Sequence, residues 1–361
     1  MLRANLVRLG RGVRAGLFIA GLLYLLTTLL PATSMAGMEV SFPRPSTIQP
    51  NVDFWVKVFT QYSYRDFVIH DRDNVQLVYQ VMHLPGDGCP TREEVDWTNA
   101  YLKAKYTDIL NRLATGKPPS DYEERDIAAM FRGKPLSAYS AAAANLRVQQ
   151  GLRERFREGL LRSRYYRPTM ERIFRGAGLP VELVTLAEVE SGFYPTARSG
   201  AGAVGIWQFT RATGQQYMRI TRYHDDRLNP VRETEAAAQL LSHNYDVLGN
   251  WPLAITAYNY GTGGMSRAAD SYAHNYARIV TNYDGPRFGF AAKNYYSEFL
   301  AALEVHEHEN EYFPGIEYAY APPPPEPSTE LPHPVLRAHH KHTARAHSTA
   351  HRRSNRQITM R

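Results

Sequence analysis

The residue best suited by type and surroundings to move a proton is Glu190. It closes the run Leu183-Val184-Thr185-Leu186-Ala187-Glu188-Val189-Glu190, with Phe193 just beyond. A carboxyl held among apolar groups loses solvation of its charged form, so its pKa rises and it can donate a proton near neutral pH. Taken alone, such a carboxyl reads more simply as a group that satisfies nearby backbone. It does not stand alone. Ser199 follows nine residues later in the glycine-bearing loop Arg198 to Gly205, and Gly205-Ile206-Trp207-Gln208 places Gln208 eighteen residues beyond the glutamate. Ala257-Tyr258-Asn259-Tyr260-Gly261-Thr262-Gly263 comes third.

These groups need helices to hold them. A helix is predicted to open at Pro180, a good first-turn residue, and to end where Ser191-Gly192 begins. The three glycines between Arg198 and Gly205 mark a tight loop whose backbone can approach another surface. Asn229-Pro230, with Glu233 as an early acid, predicts an N-cap and a helix to about Leu248. Trp251 to Tyr260 and Phe290 to His306 read as two more, the latter with Phe299, Leu300 and Leu303 on its buried side. Upstream, Arg92 to Leu113 begins at Thr91, and Leu146 to Phe174 spaces Leu146, Leu152, Phe156, Leu160 and Leu161 in helical fashion. Period-2 patterns are scarce, so the predicted fold class is mostly α.

Charge narrows the function. The chain of 361 residues carries a formal +7. Residues 1–36 contribute +4 and residues 321–361 contribute +5, which leaves 37–320 at −2. A globular part without basic bias does not suit a phosphate backbone, and no specific nucleic acid is expected. Cys89 is the one cysteine, which excludes a disulfide framework and a Cys-rich zinc site. Arg3, Arg8, Arg11 and Arg14 precede the apolar run Ala15 to Leu30, and Pro31-Ala32-Thr33-Ser34-Met35-Ala36 follows. That order is an export signal. Sixteen residues reach about 24 Å against a hydrocarbon core of about 30 Å, favouring cleavage before Gly37 over retention as a membrane anchor. From Ala321 onward seven prolines and six histidines accompany the arginines, a composition that cannot bury enough apolar surface to fold. The expected domains are a signal or anchor at 1–36, a helical extension at 37–144, a catalytic domain at 145–320 and a disordered tail at 321–361.

The three motifs, in their order and spacing, resemble the signatures of the soluble-lytic-transglycosylase catalytic domain of family 1 lytic murein transglycosylases. The membrane-bound lytic murein transglycosylase D branch fits best, because Phe156 to Phe193 and Phe288 to Phe299 fit it as well. The resemblance covers about 145–315. It implies a goose-lysozyme-like α-helical fold with a glycan cleft, and cleavage of the β-1,4 bond between N-acetylmuramic acid and N-acetylglucosamine. Carried over by position, Glu190 is acid and then base. Ser199 and Gln208 hydrogen-bond near the glycan and the carboxyl, Tyr258 closes the cleft, and Asn259 either supports the helix or touches substrate. Ile206-Trp207 stands where the wider family has Leu-Met, and Tyr260 and Thr262 where it has Ala and Pro, so subsite shape departs from the pattern. The implied setting is the periplasm or cell envelope, with peptidoglycan strands as partner.

Ordinary glycosidases pair two carboxylates. Glu188 lies about 200° around the helix from Glu190 and is expected to be solvated or salt-bridged. Asp225, Asp226 and Glu235 read as loop or helix-start charge. With one carboxylate, the C6 hydroxyl of the muramic acid can serve as nucleophile, which would give a 1,6-anhydro end, and no metal or organic cofactor is expected. Among the aromatics, Tyr194, Tyr217, Tyr258 and Tyr260 are candidate sugar platforms, whereas Tyr295, Tyr296 and Phe299 read as packing residues. Three other readings compete: a hydrolytic muramidase or chitinase on the same scaffold, a non-catalytic glycan-binding protein, and a tail that binds metal, nucleic acid or anionic envelope polymer. The tail histidines His339, His340, His342, His347 and His351 have no paired arrangement with carboxylates, which favours a solvated tail.

Overall fold

The computed structural model describes residues 42–319. The export segment and the tail lie outside the described residues. Helix α1 (Gln49–Thr60) is followed by strands β1 (Asp66–Asp71) and β2 (Val78–His83), then helices α2 (Arg92–Ala114), α3 (Tyr122–Met130) and α4 (Ser137–Ala144), and strand β3 (Leu146–Gln150). The remainder is helical: α5 (Arg153–Gly176), α6 (Leu186–Ser191), α7 (Arg211–Gly214), α8 (Pro230–Leu248), α9 (Trp251–Tyr260), α10 (Thr262–Ser271), α11 (Tyr276–Asn282), α12 (Phe290–Glu307) and α13 (Glu309–Tyr312). Among the described residues no helix is long and apolar enough to cross a membrane.

The expected caps form. Thr91 and Glu94 make a reciprocal capping box at the start of α2, and the Asn229 side chain accepts the Val231 and Arg232 N–H groups at the start of α8. The helix expected from Pro180 is instead a 3₁₀ turn (Val181–Thr185) that feeds the six-residue α6.

A three-stranded antiparallel sheet, ordered β2-β1-β3, stands within the region read as helical. Its central strand, Asp-Phe-Val-Ile-His-Asp, is buried on both faces: Phe67 and Ile69 face one core, Val68 the other. A strand covered on both sides shows a continuous apolar run with no polar alternation, which is why period-2 reading passes over it. β3 occupies residues 146–150, so the sheet joins segments on both sides of the expected 144/145 boundary.

The two cores lie on either side of that sheet. One gathers Phe67, Ile69 and Tyr79 with Leu102, Tyr106, Leu110 and Ile127 of α2 and α3. The other joins α1 to the helices from α5 onward through Val52, Phe59, Phe156, Leu160, Phe174, Trp207, Leu241 and Phe299. Here α1 lies along α12, pinned by Asn294, whose amide oxygen accepts Asn51 at 2.8 Å and the Trp55 indole N–H at 3.2 Å. The partly covered α6 is held among α5, α12 and the 3₁₀ turn.

Candidate active site

Glu190 sits one residue before the end of α6, which stops at Gly192 in a left-handed C-cap (φ 60°). Burial pushes its carboxyl up to about 7, opposed by a hydrogen bond from Tyr295. That bond runs from the Tyr295 hydroxyl to Glu190 Oε1. Tyr295 is buried in the core, as are Tyr296 and Phe299, in keeping with their reading as packing residues, and its hydroxyl in addition reaches Glu190, which that reading did not include. Its ring lies parallel to that of Tyr258, centroids 6.5 Å apart and 5° between planes. Two stacked tyrosines therefore wall the carboxyl, and burial with the nearby Glu190 charge raises both phenols.

The motif after α6 is a wall built from backbone. Ser191 Oγ donates to the Ile206 carbonyl at 2.8 Å and accepts the Tyr194 N–H at 3.0 Å, tying α6 to the Gly205-Ile206-Trp207-Gln208 turn. The turn is held from behind by Glu233, fully buried, whose carboxylate accepts Ile206 N–H at 2.8 Å and Trp207 N–H at 3.1 Å. Gly205 has φ 91°, and a Cβ there would overlap the Arg227 carbonyl and the Glu233 carboxylate, so only glycine fits. Glu233, read from the sequence as a helix-start acid, is the anchor of this turn. The Tyr258 hydroxyl completes it by donating to the Trp207 carbonyl at 2.8 Å.

Gln208 adopts a left-handed backbone (φ 51°), and its amide nitrogen donates to Gly205 O at 2.8 Å and Ala197 O at 3.3 Å. Its side chain is spent on shaping the loop. Ser199 is exposed, and its hydroxyl accepts the Ala203 N–H at 3.0 Å, closing the Arg198 to Gly205 loop. Asn259 is exposed on the last turn of α9. The structure therefore brings Glu190 together with Tyr258 and Tyr295, places Gln208 in the adjoining turn, and leaves Ser199 and Asn259 at the surface.

A second carboxyl stands beside the first. Glu298 lies one turn beyond Tyr295 on the same face of α12. Burial, then the charge of Glu190, pushes it up to about 8, against the pull of Arg147 on β3. Sequence reasoning missed it, since nothing in its neighbours in the chain links it to Glu190. On the far side of α6, Glu188 is buried, and burial pushes it up to about 8 despite Arg162, Arg155 and Arg167. Of the two expectations for Glu188, solvated or salt-bridged, the first fails, because the helix packs against α5 and α12 there, and the nearest basic group is the His306 imidazole at 3.4 Å. Among the described residues no group of three or more His, Cys, Asp or Glu side chains is placed to hold a metal ion.

Residues 173–279 match the model of the Transglycosylase SLT domain. The chain carries an SLT domain. Membrane-bound lytic murein transglycosylase D of Escherichia coli (strain K12) is 44% identical over 92 residues, 25% of this chain and 20% of that protein. Peptidoglycan transglycosylase gp16 of Escherichia phage T7 is 42% identical over 85 residues, 22% of this chain and 6% of its own length. The matches thus span a small part of these relatives. Among solved structures, the 70 kDa soluble lytic transglycosylase from Escherichia coli aligns over 40% of this chain and 24% of its own, with 19% identity and a TM-score of 0.34. The SLT match holds Glu190, Ser199, Gln208, Tyr258 and Asn259, while Tyr295 and Glu298 fall beyond its end.

Proposed function

We propose that this chain cleaves the β-1,4 bond between N-acetylmuramic acid and N-acetylglucosamine in peptidoglycan, with Glu190 as acid and then base, releasing 1,6-anhydro ends. The observation that carries the reading is the Glu190 carboxyl itself: pushed up to about 7, hydrogen-bonded by Tyr295 and set in an SLT domain. Near neutral pH a large fraction of it is protonated and can donate to the glycosidic oxygen as the bond to the anomeric carbon breaks. The resulting carboxylate then takes the proton of the muramic acid C6 hydroxyl, whose oxygen bonds the same anomeric carbon, and Glu190 returns to its starting state. An intramolecular hydroxyl holds a proximity advantage over water. Tyr295 steadies the carboxylate between the two steps.

Glu298 bears on the choice between this and hydrolysis. An ionised carboxylate next to Glu190 could activate water, as in glycosidases that pair acid and base. Pushed up to about 8, Glu298 is mostly neutral at pH 7 and is a poor base there. The reading also puts the enzyme in the cell envelope, with glycan strands as partner and the +5 tail against anionic wall polymer. Ser199 and Asn259 would then meet the glycan at the cleft surface, with Gln208 shaping the floor. Mass analysis of muropeptides after digestion tests the chemistry. Anhydro termini are expected, and termini heavier by one water, reducible by borohydride, would replace transglycosylase with muramidase.

A further inference from the structure

Behind the catalytic helix lies a polar cluster that the chemistry above does not use. The Glu188 carboxyl is enclosed where α5 carries Gly159, and a Cβ on Gly159 would overlap it. Facing it from α12 is His306, with Nε2 3.4 Å from Glu188 Oε2. The two atoms make no hydrogen bond with each other, and neither has a hydrogen-bond partner elsewhere. The imidazole's tautomer follows from its other side: Arg167 donates to His306 Nδ1 at 3.2 Å, so the proton sits on Nε2, the ring nitrogen nearer Glu188. Burial also drives His306 well below its ordinary value, which keeps it neutral. The same Arg167 nitrogen reaches Thr185 Oγ1 at 3.2 Å, and Arg162 donates to the Gly192 carbonyl at 2.7 Å, so both ends of the catalytic segment are tied to α5.

The arrangement acts as a lever. Tyr295 and His306 are eleven residues apart, three turns of α12, and project from nearly the same face. That single face touches α6 on both sides, Tyr295 at Glu190 and His306 at Glu188. The two glutamates lie about 200° apart around α6, so a roll of the helix that loosens one contact moves the other. A six-residue helix has too few internal hydrogen bonds to fix its own orientation. We propose that Glu188, seated over Gly159 and faced by His306, is a positioning residue that sets the aim of Glu190 at the glycosidic oxygen.

This rests on Glu190 being the acid, and the test separates the two. Glu188→Gln keeps the size and a polar group facing His306 Nε2 and is expected to retain near-normal turnover. Glu188→Ala leaves a hole over Gly159. The double variant Gly159→Ala with Glu188→Ala refills that hole with a methyl group but restores no polar contact. In the full chain acting on soluble glycan strands, Glu188→Ala is expected to lower kcat about tenfold or more, toward the roughly 10²-fold that misplacement by 1 Å brings, with little change in KM. The double variant is expected to regain the wild-type melting temperature without regaining kcat. Recovery of kcat together with melting temperature would reduce Glu188 to packing and overturn the proposal. So would wild-type kcat in Glu188→Ala, or loss in Glu188→Gln as deep as in Glu188→Ala. An active Glu190→Gln would instead overturn the choice of acid.

Discussion

The two cores on either side of the sheet treat buried carboxylates differently. Beside the core of α2 and α3, Glu124 is buried yet fully engaged: Arg112 donates to one oxygen at 2.7 Å, and the Ser120 N–H donates to the other at 2.6 Å. Around α6, Glu188, Glu190 and Glu298 are all raised by burial, and the Tyr295 hydroxyl is the hydrogen-bond donor that reaches any of them from a side chain. Pairing a buried carboxylate makes it part of the scaffold. Leaving one underpaired keeps a proton on it near neutrality, which costs stability and is the condition for acid catalysis. Glu124 and, behind the 206–207 turn, Glu233 are of the first kind, and the three carboxyls around α6 are of the second.

The largest expected effect comes from Glu190→Gln, which should lower turnover by roughly 10²- to 10⁴-fold while the fold persists. The same change should stabilise the protein above pH 7. Folding raises this carboxyl from its ordinary 4.5 to about 7, so the unfolded chain ionises first and stability drains away as pH climbs between those values. Glutamine removes the penalty, worth at least about 1 kcal/mol by thermal melting at pH 8. A neutral or destabilising result would mean that Glu190 is paired as Glu124 is. Leu102→Ala tests the other core. It should cost about 2–5 kcal/mol in chemical denaturation, yet leave turnover per folded molecule near wild type.

Tyr295→Phe sharpens the contrast further. Its hydrogen bond holds Glu190 down, so removing it should raise that pKa and move the alkaline limb of the kcat/KM profile to higher pH. A limb that moves down would reverse the assigned role. The smallest effect is expected from Glu298→Gln. Because burial and the Glu190 charge hold Glu298 above its ordinary value, the alkaline limb should move little and anhydro termini should persist. A shift to reducing termini on restoring the carboxylate would make Glu298 the base of a hydrolase.

How far the sequence carries depends on chain distance. Glu190, the Gly205 to Gln208 turn and Tyr258 lie in short contiguous motifs, and the caps at Thr91 and Asn229 are local by nature, so all were legible. Tyr295 and Glu298 reach Glu190 across more than a hundred residues through a face of α12 whose aromatic spacing is indistinguishable from core packing. Glu233 looks like any helix-start acid until the fold brings the 206–207 amides onto it. β1 was hidden because both of its faces are covered, and Glu188 because helical geometry says which way a side chain points but not whether a neighbouring helix lacks a side chain there.

The most direct test of the central claim is the ionisation of Glu190 itself, read from the side-chain carbons of ¹³C-labelled glutamate by NMR in wild type and Glu190→Gln. The account predicts a resonance that titrates at about 7 in wild type and vanishes in the variant. If the only resonance lost is one that titrates near 4.5, where an ordinary glutamate does, Glu190 is ionised at working pH and cannot be the acid.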